Sequence, residues 1–281
     1  MKFGPVPVEQ AEGKILAHNI SNSDGRRMLR KGEQLSDDDV KLLTGINHTK
    51  VYVAELESGD IAEDIAAERI ARSVCGEGAR ITKPVVGRVN LLAQERSVLR
   101  VDASRLTRIN EYEGITLATL RSHAIVQPRK IAATIKVIPF ALPERTVCQA
   151  EAVASEGRPI IQLYPLRQRT AALILSSSPY AKKRVIGNFV PSLQARIESL
   201  GSELGWVDFI PLEDETGELA LAETIQKRVV SGAEIIILAG ETAIMDRYDI
   251  APRAVERSGG VVACYGAPVD PGNLLMLAYL D

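Results

Sequence analysis

The chain is poor in the residues that most often announce chemistry. It has three cysteines, Cys75, Cys148 and Cys264, far apart and without Cys-x-x-Cys spacing. An odd, dispersed set argues against a disulfide framework and points to the reducing cytoplasm, with small buried thiols. Its three histidines, His18, His48 and His123, form no cluster, so neither a zinc site nor a Ser-His-Asp triad is expected. Aromatic residues make up only 4% of the chain, too few for base-stacking platforms. Net charge is -2, which gives no broad basic field for nucleic acid. No apolar run approaches the roughly 18 residues of a membrane span. Met1-Lys-Phe-Gly-Pro5 lacks the pattern of a signal peptide. Neither nucleic acid nor a membrane is therefore an expected partner.

What remains is an ordinary globular composition, 46% hydrophobic and 25% charged over 281 residues, a length that suggests two domains. Residues 1–150 read as a mixed α/β and β-rich module. Ser36 precedes a helical stretch that Gly45 ends. Ile61, Ile65, Ala66, Ile70 and Val74 recur at helical spacing. Residues 81–142 carry short β-branched runs, at Pro84–Leu92, Ser97–Val101, Ile115–Leu120 and Ile131–Ile138, which read as a small sheet or barrel-like module. Arg88, Asn90, Asn110 and Lys136 are candidate ligand contacts there, with ordinary outward-facing residues as the simpler account. The stretch from Glu144 to Pro159 shows little apolar periodicity and is placed as the domain boundary. Residues 160–281 alternate strand and helix, which implies a parallel sheet covered on both faces.

The stretch from Ala233 to Asp270 organises that second domain. Glu234–Ala239 is an apolar run, the pattern of a strand buried on both faces. A polar loop, Gly240–Asp249, leads to a helix at Ile250–Arg257, with Asp249 at the N-cap position and Pro252 in the first turn. Gly259-Gly260 stops that helix, Val261–Tyr265 reads as another buried strand, and Leu274–Leu280 as a last one. In an open α/β sheet, ligands bind outside the carboxyl ends of the strands. Amides at such loops suit an anion, and Asp246 and Asp249 are candidates to hold a divalent cation against it. A simpler account makes Asp249 only a cap and Asp270-Pro271-Gly272 only a turn.

Several segments carry a resemblance. Leu238-Ala-Gly240-Glu-Thr-Ala243, Asp246-Arg-Tyr-Asp249-Ile-Ala-Pro252, Ser258-Gly-Gly260 and Val269-Asp-Pro271-Gly272, in this order, resemble the molybdopterin-binding domain of molybdopterin adenylyltransferases, molybdenumtransferases and gephyrin-like proteins. With Val86–Leu91, Ile115–Leu120, Ile135–Phe140 and Pro268–Leu275, the whole chain is similar to bacterial molybdopterin-binding proteins often fused to a cytidylyltransferase-like domain. The resemblance implies a three-layer, mostly parallel α/β domain over residues 160–281. Its ligand would be molybdopterin, bound in molybdenum cofactor biosynthesis, with Mg²⁺ if the protein is catalytic. Ser176, Ser177 and Ser178 match the first ligand loop, Gly240, Glu241 and Thr242 the second, and Pro271, Gly272 and Asn273 the last. Asp249 and Asp246 match the acids that family enzymes set near metal and nucleotide. A Mg-dependent nucleotidyl- or molybdenum-transferase would use them for catalysis, whereas Ser-Ser-Ser-Pro in the first loop and Glu241 in the second depart from the enzymes and favour binding alone. The resemblance also implies a homo-oligomer, and as partner a cytidylyltransferase-like domain or a molybdoenzyme chaperone. Relatives continue past the position of Asp281, so the chain reads as part of a longer protein or as a stand-alone module. The alternative is an interaction or scaffold module that uses the same domain for oligomerisation or partner binding.

Overall fold

The structure is a computed structural model, which describes the chain apart from Ser23, Leu212, Glu213, Asp214, Thr242, Ala243 and Asp281. It divides into two units, Met1–Pro165 and Leu166–Asp281.

The first unit opens with β1 (Lys2–Pro7), the short strands β2 (Ile15–Leu16), β3 (Ile20–Ser21) and β4 (Arg27–Leu29), helix α1 (Asp37–Gly45) and β5 (Lys50–Glu55). β1 and β2 flank β5, both antiparallel to it. Helix α1 starts at a capping box. The Asp39 amide donates to Ser36 Oγ (3.2 Å), and the Ser36 amide donates back to the Asp39 carboxylate (2.9 Å), satisfying two otherwise orphaned donors.

The larger part of this unit comprises β6 (Asp60–Ala62), α2 (Glu63–Val74), β7 (Ala79–Ile81), β8 (Arg88–Ala93), β9 (Ser97–Val101), α3 (Ala103–Asn110), β10 (Ile115–Thr119), β11 (Ile125–Val126), β12 (Ile131–Val137), β13 (Ala141–Pro143), α4 (Glu144–Ala154) and β14 (Ile161–Pro165). β10-β12-β8-β7 form one antiparallel sheet, β11-β9-β14 another, and β13 pairs with β6. Alternation along β8 sends Val89, Leu91 and Ala93 inward, where they share one core with Ile70 and Val74 of α2 and Val147 and Ala150 of α4. The placement of a domain boundary at Glu144–Pro159 does not agree with this arrangement. α4 lies there, and its Val147, Ala150 and Val153 are buried in the core of the first unit.

The second unit comprises β15 (Thr170–Ser177), α5 (Lys182–Ser199), β16 (Glu203–Pro211), α6 (Glu215–Val230), β17 (Ile235–Gly240), α7 (Ile250–Arg257), β18 (Val261–Tyr265) and β19 (Met276–Tyr279). Three strands, in the order β16-β15-β17, are parallel. Central β15 is the buried one. Leu173 and Leu175 pack with Val185 of α5, while Ile174 faces Leu221 and Ile225 of α6 and Ala254 and Val255 of α7.

The expected parallel sheet is thus only three strands wide, and β18 and β19 form a separate antiparallel pair. The chain as a whole is mixed α/β with several small antiparallel sheets. Two strands expected to be buried on both faces are not. β17 pairs only with β15 among the described residues, and its residues are half-buried or exposed. β18 is exposed at four of its five positions. An apolar run records a tendency to be covered, and it cannot say whether a neighbouring strand is there to do so. The thiols also differ from expectation: Cys264 on β18 and Cys148 on α4 are exposed, and Cys75 is half-buried, where burial raises its pKa. No helix among the described residues is long and apolar enough to cross a membrane.

Candidate functional site

The carboxyl ends of β15 and β17 lie side by side, Ser176 opposite Gly240 in the parallel register. They are close because residue 240 has no side chain. A Cβ there would stand 2.2 Å from the Ser176 carbonyl oxygen and 2.7 Å from its Oγ, well inside van der Waals contact. Past these two residues opens a cavity of about 350 Å³. Ser176, Gly240 and Asp249 supply its polar rim, and Leu221, Leu238 and Ile250 part of its apolar wall. The size and the mixture, mostly apolar with a few convergent polar groups, are those of a small-molecule site.

The loop Gly240–Asp249 is held by its own acids. One Asp249 oxygen accepts from the Met245 amide (2.7 Å) and the Asp246 amide (3.0 Å). Asp246 accepts from the Tyr248 amide at 2.7 Å, the Asx turn expected of this residue type. Asp249 occupies the N-cap position of α7 by backbone conformation, yet its side chain makes no cap hydrogen bond to that helix. It reaches backward and fixes the loop. Tyr265, at the end of β18, donates its hydroxyl to the Ile244 carbonyl at 2.9 Å, a second tie that the spacing of residues does not reveal.

One charge beside the rim is paired. Glu241 pairs with Arg184 of α5 at 2.6 Å, so the acid that would repel an anion is neutralised by the basic run Lys182–Arg184. Lys182 itself lies over the Phe209 ring, 5.4 Å from its centroid. Ser177 is buried and donates to the Ser178 carbonyl at 3.1 Å, and Ser178 is exposed. Pro271, Gly272 and Asn273 are exposed on the turn that joins β18 to β19, with Asn273 accepting the Ala267 amide through its carbonyl at 2.9 Å. Thr242 lies outside the described residues. Of the residues singled out from sequence, Ser176, Gly240 and Asp249 therefore line one cavity. Ser177, Ser178, Glu241, Asp246 and the three turn residues do not contribute to its lining.

The described residues contain no group of three or more His, Cys, Asp or Glu able to hold a metal ion. Asp246 and Asp249 each commit one oxygen to main-chain amides. A Mg²⁺ ion at this loop would need water and ligand phosphate oxygens to complete its shell, a common pattern for that ion. Three of the four candidates in the first unit, Asn110, Asn90 and Lys136, are tied to neighbouring groups of the fold. Asn110 exchanges hydrogen bonds with the Leu117 main chain (2.6 and 3.0 Å), Asn90 accepts from Thr134 Oγ1 (2.7 Å), and Lys136 donates to the Val86 and Val137 carbonyls and to Glu63. Arg88 is exposed on β8.

Residues 5–55 match a family described as a domain of unknown function (DUF8806). No curated protein matches the chain. Among solved structures it is similar to a molybdenum cofactor biosynthesis protein from Pyrococcus furiosus, at 10% identity and a TM-score of 0.23, over 99% of this chain and 54% of that one. It is also similar to a molybdopterin biosynthesis MoeA protein from Pyrococcus horikoshii, at 12% identity and a TM-score of 0.28, over 99% of this chain and 68% of that one. A second structure of a MoeA protein from Pyrococcus horikoshii gives 10% and 0.25, over 98% and 67%. The chain spans about half the length of the first of these three proteins.

Proposed function

We propose that the second unit binds molybdopterin, in molybdenum cofactor biosynthesis. The observation that carries this is the cavity of about 350 Å³ at the tips of β15 and β17, with Ser176, Gly240 and Asp249 on its rim. An apolar wall takes the face of a pterin, and the rim offers a hydroxyl and main-chain groups to its polar edge and phosphate. The resemblance adds Ser177, Ser178, Glu241, Thr242, Asp246 and Pro271–Asn273 as contacts, of which the described ones lie outside the lining of this cavity. The unit would then be a member of the three-layer molybdopterin-binding folds, working in the cytoplasm as a homo-oligomer alongside a cytidylyltransferase-like domain or a molybdoenzyme chaperone. Anaerobic titration with molybdopterin, read by pterin fluorescence, tests it. Saturable binding weakened by Ser176→Ala combined with Asp249→Asn is expected. A folded chain that leaves the fluorescence unchanged discards the assignment.

Catalysis is a separate matter, because Asp249 and Asp246 are engaged in holding their own loop. That engagement favours a second reading, a binding or scaffold module without turnover. Mg²⁺-dependent nucleotide consumption that disappears in Asp249→Asn, with the loop still folded, would instead establish a transferase.

A further inference from the structure

A phosphate brought to the cavity at the tips of β15 and β17 meets no positive charge in its lining. Among the described residues Asp249 is the one ionisable group there, beside the Ser176 hydroxyl and the Gly240 main chain. An anion next to a carboxylate and an apolar wall is costly unless a cation is supplied to it. Two arginines are tied into the neighbourhood. Arg247, in the loop after β17, pairs with Glu256 at 3.7 Å. Glu256 lies near the far end of α7, about 9 Å along the helix from Ile250 of the lining, so Arg247 is drawn off the rim. Arg184, in the first turn of α5, pairs instead with Glu241 at 2.6 Å. Glu241 directly follows Gly240 of the rim, so this guanidinium is held one residue from the mouth of the cavity.

The Arg184–Glu241 pair is suited to exchanging partners. Its side chains are 67% and 32% exposed, so neither charge is sealed in, and an exposed ion pair holds weakly. Among the described residues neither side chain has a second partner. An arginine fork receives two phosphate oxygens at once, and a phosphate monoester carries more negative charge than a carboxylate. Lys182 and Lys183 precede Arg184 in the chain, so this turn attracts an anion even while Glu241 is in place.

We infer that Arg184 is the contact for the ligand's phosphate group, and that Glu241 is an internal competitor for it. The ligand class is a phosphate monoester; that it is a pterin rests on the reading given under Proposed function. A phosphate must displace Glu241 before it meets the guanidinium, and its apparent affinity falls by the fraction of chains in which Arg184 is free. A ligand without the phosphate gains nothing from that displacement and is indifferent to Glu241.

The full chain carrying isotope-labelled arginine is titrated with sodium phosphate, and in parallel with sodium chloride at equal ionic strength. The Arg184 Nε resonance, assigned with Arg184→Lys, reads the contact by NMR. A saturable shift with phosphate alone is expected. Glu241→Gln should lower its midpoint roughly fivefold, and Arg247→Gln should leave it in place. No saturable shift, a midpoint that Glu241→Gln does not lower, or one that Arg247→Gln lowers as far each overturns the inference. Molybdopterin and its dephosphorylated form, titrated into the same variants by pterin fluorescence, keep this result apart from the cofactor reading. Glu241→Gln should tighten the first by a similar factor and leave the second unchanged, and equal tightening of both would overturn the assignment of Arg184 to the phosphate. Failure of either pterin to bind any variant, with the phosphate shift and its dependence on Glu241 intact, discards the cofactor reading and leaves the phosphate contact standing.

Discussion

Both units lay helices against sheets, but they bury their strands to different depths. In the first, Val89, Leu91, Ile135 and Val137 are wholly buried, and they come from two adjacent strands, β8 and β12. In the second, only the central strand β15 reaches that depth, at Ala171–Leu175, while Ile236, Ile237 and Leu238 on β17 stay half-buried. Composition does not explain this, since β8 and β12 carry Arg88, Asn90, Thr134 and Lys136 whereas β17 carries no polar side chain. What differs is the number of neighbours. A strand flanked on both sides and covered by a helix is sealed, whereas one at an edge keeps part of its surface in water. In the second unit the candidate rim lies at the tips of β15 and β17, on the less enclosed half of the sheet among the described residues.

Truncating core residues should break the symmetry most sharply. Leu91→Ala removes a wholly buried side chain and should cost about 2–5 kcal/mol. Ile236→Ala, half-exposed on β17, should cost about 1 kcal/mol. Hydrogen exchange resolved by segment separates the units, and the fluorescence of Trp206, the sole tryptophan, on β16, follows the second. Equal losses would show that β17 is as enclosed as β8. Gly240→Ala comes next. Its Cβ would press against the Ser176 carbonyl, a main-chain atom that cannot swing aside, so a loss of about 1–3 kcal/mol is expected, together with weaker pterin binding. An unchanged urea midpoint by Trp206 fluorescence would mean that β15 and β17 separate easily at their tips. A smaller effect belongs to the first unit. Ser36→Ala removes half of the capping box of α1 and should cost about 1 kcal/mol in urea unfolding followed by circular dichroism.

The Ser36 cap of α1 was legible from the chain alone because a cap is a local pattern, though its return partner Asp39 was not singled out. The same holds for the end of α7 at Gly259-Gly260, where the Gly260 amide returns to the Val255 carbonyl. Helices α3 and α4 were not legible. α4 buries only small apolar residues, Val147, Ala150 and Val153, whose periodicity is faint. α3 buries Arg105, held by Asp102 and by the Ala154 and Arg158 carbonyls, a cation in a place where a pattern of apolar residues has nothing to detect. At the candidate site, Ser176 and Gly240 were singled out through the resemblance and Asp249 also by its place before α7, and the three line one cavity. The backward reach of Asp249 to Met245 and Asp246, and the Tyr265 tie to Ile244, depend on how a polar loop folds over itself. No spacing rule encodes that.

The gentlest test concerns Glu218 on α6, which accepts from Arg257 Nε at 2.7 Å and pairs with Arg253 at 2.5 Å, both on α7. The Arg257 hydrogen bond, opposed by desolvation and aided by the charge of Arg253, lowers its pKa below the usual glutamate value. A carboxyl held lower in the folded state contributes its full stability above the unfolded pKa, and loses it as pH falls through the folded pKa. The α6–α7 contact should therefore weaken below the ordinary glutamate range and not on the alkaline side. Glu218→Gln removes the charge but keeps the shape, so it should melt below the parent chain at neutral pH and alongside it in acid, with a modest gap suited to pairs whose arginines are open to water. Since Ile236 and Leu238 of β17 and Met276 and Ala278 of β19 pack on α6 and α7, the same substitution should also loosen exchange in β17 and β19 while leaving β8 and β12 untouched. A melting gap that persists undiminished into acid would assign the effect to packing instead of charge, and would remove Glu218 as the electrostatic link between the helices on which the exposed strands rest.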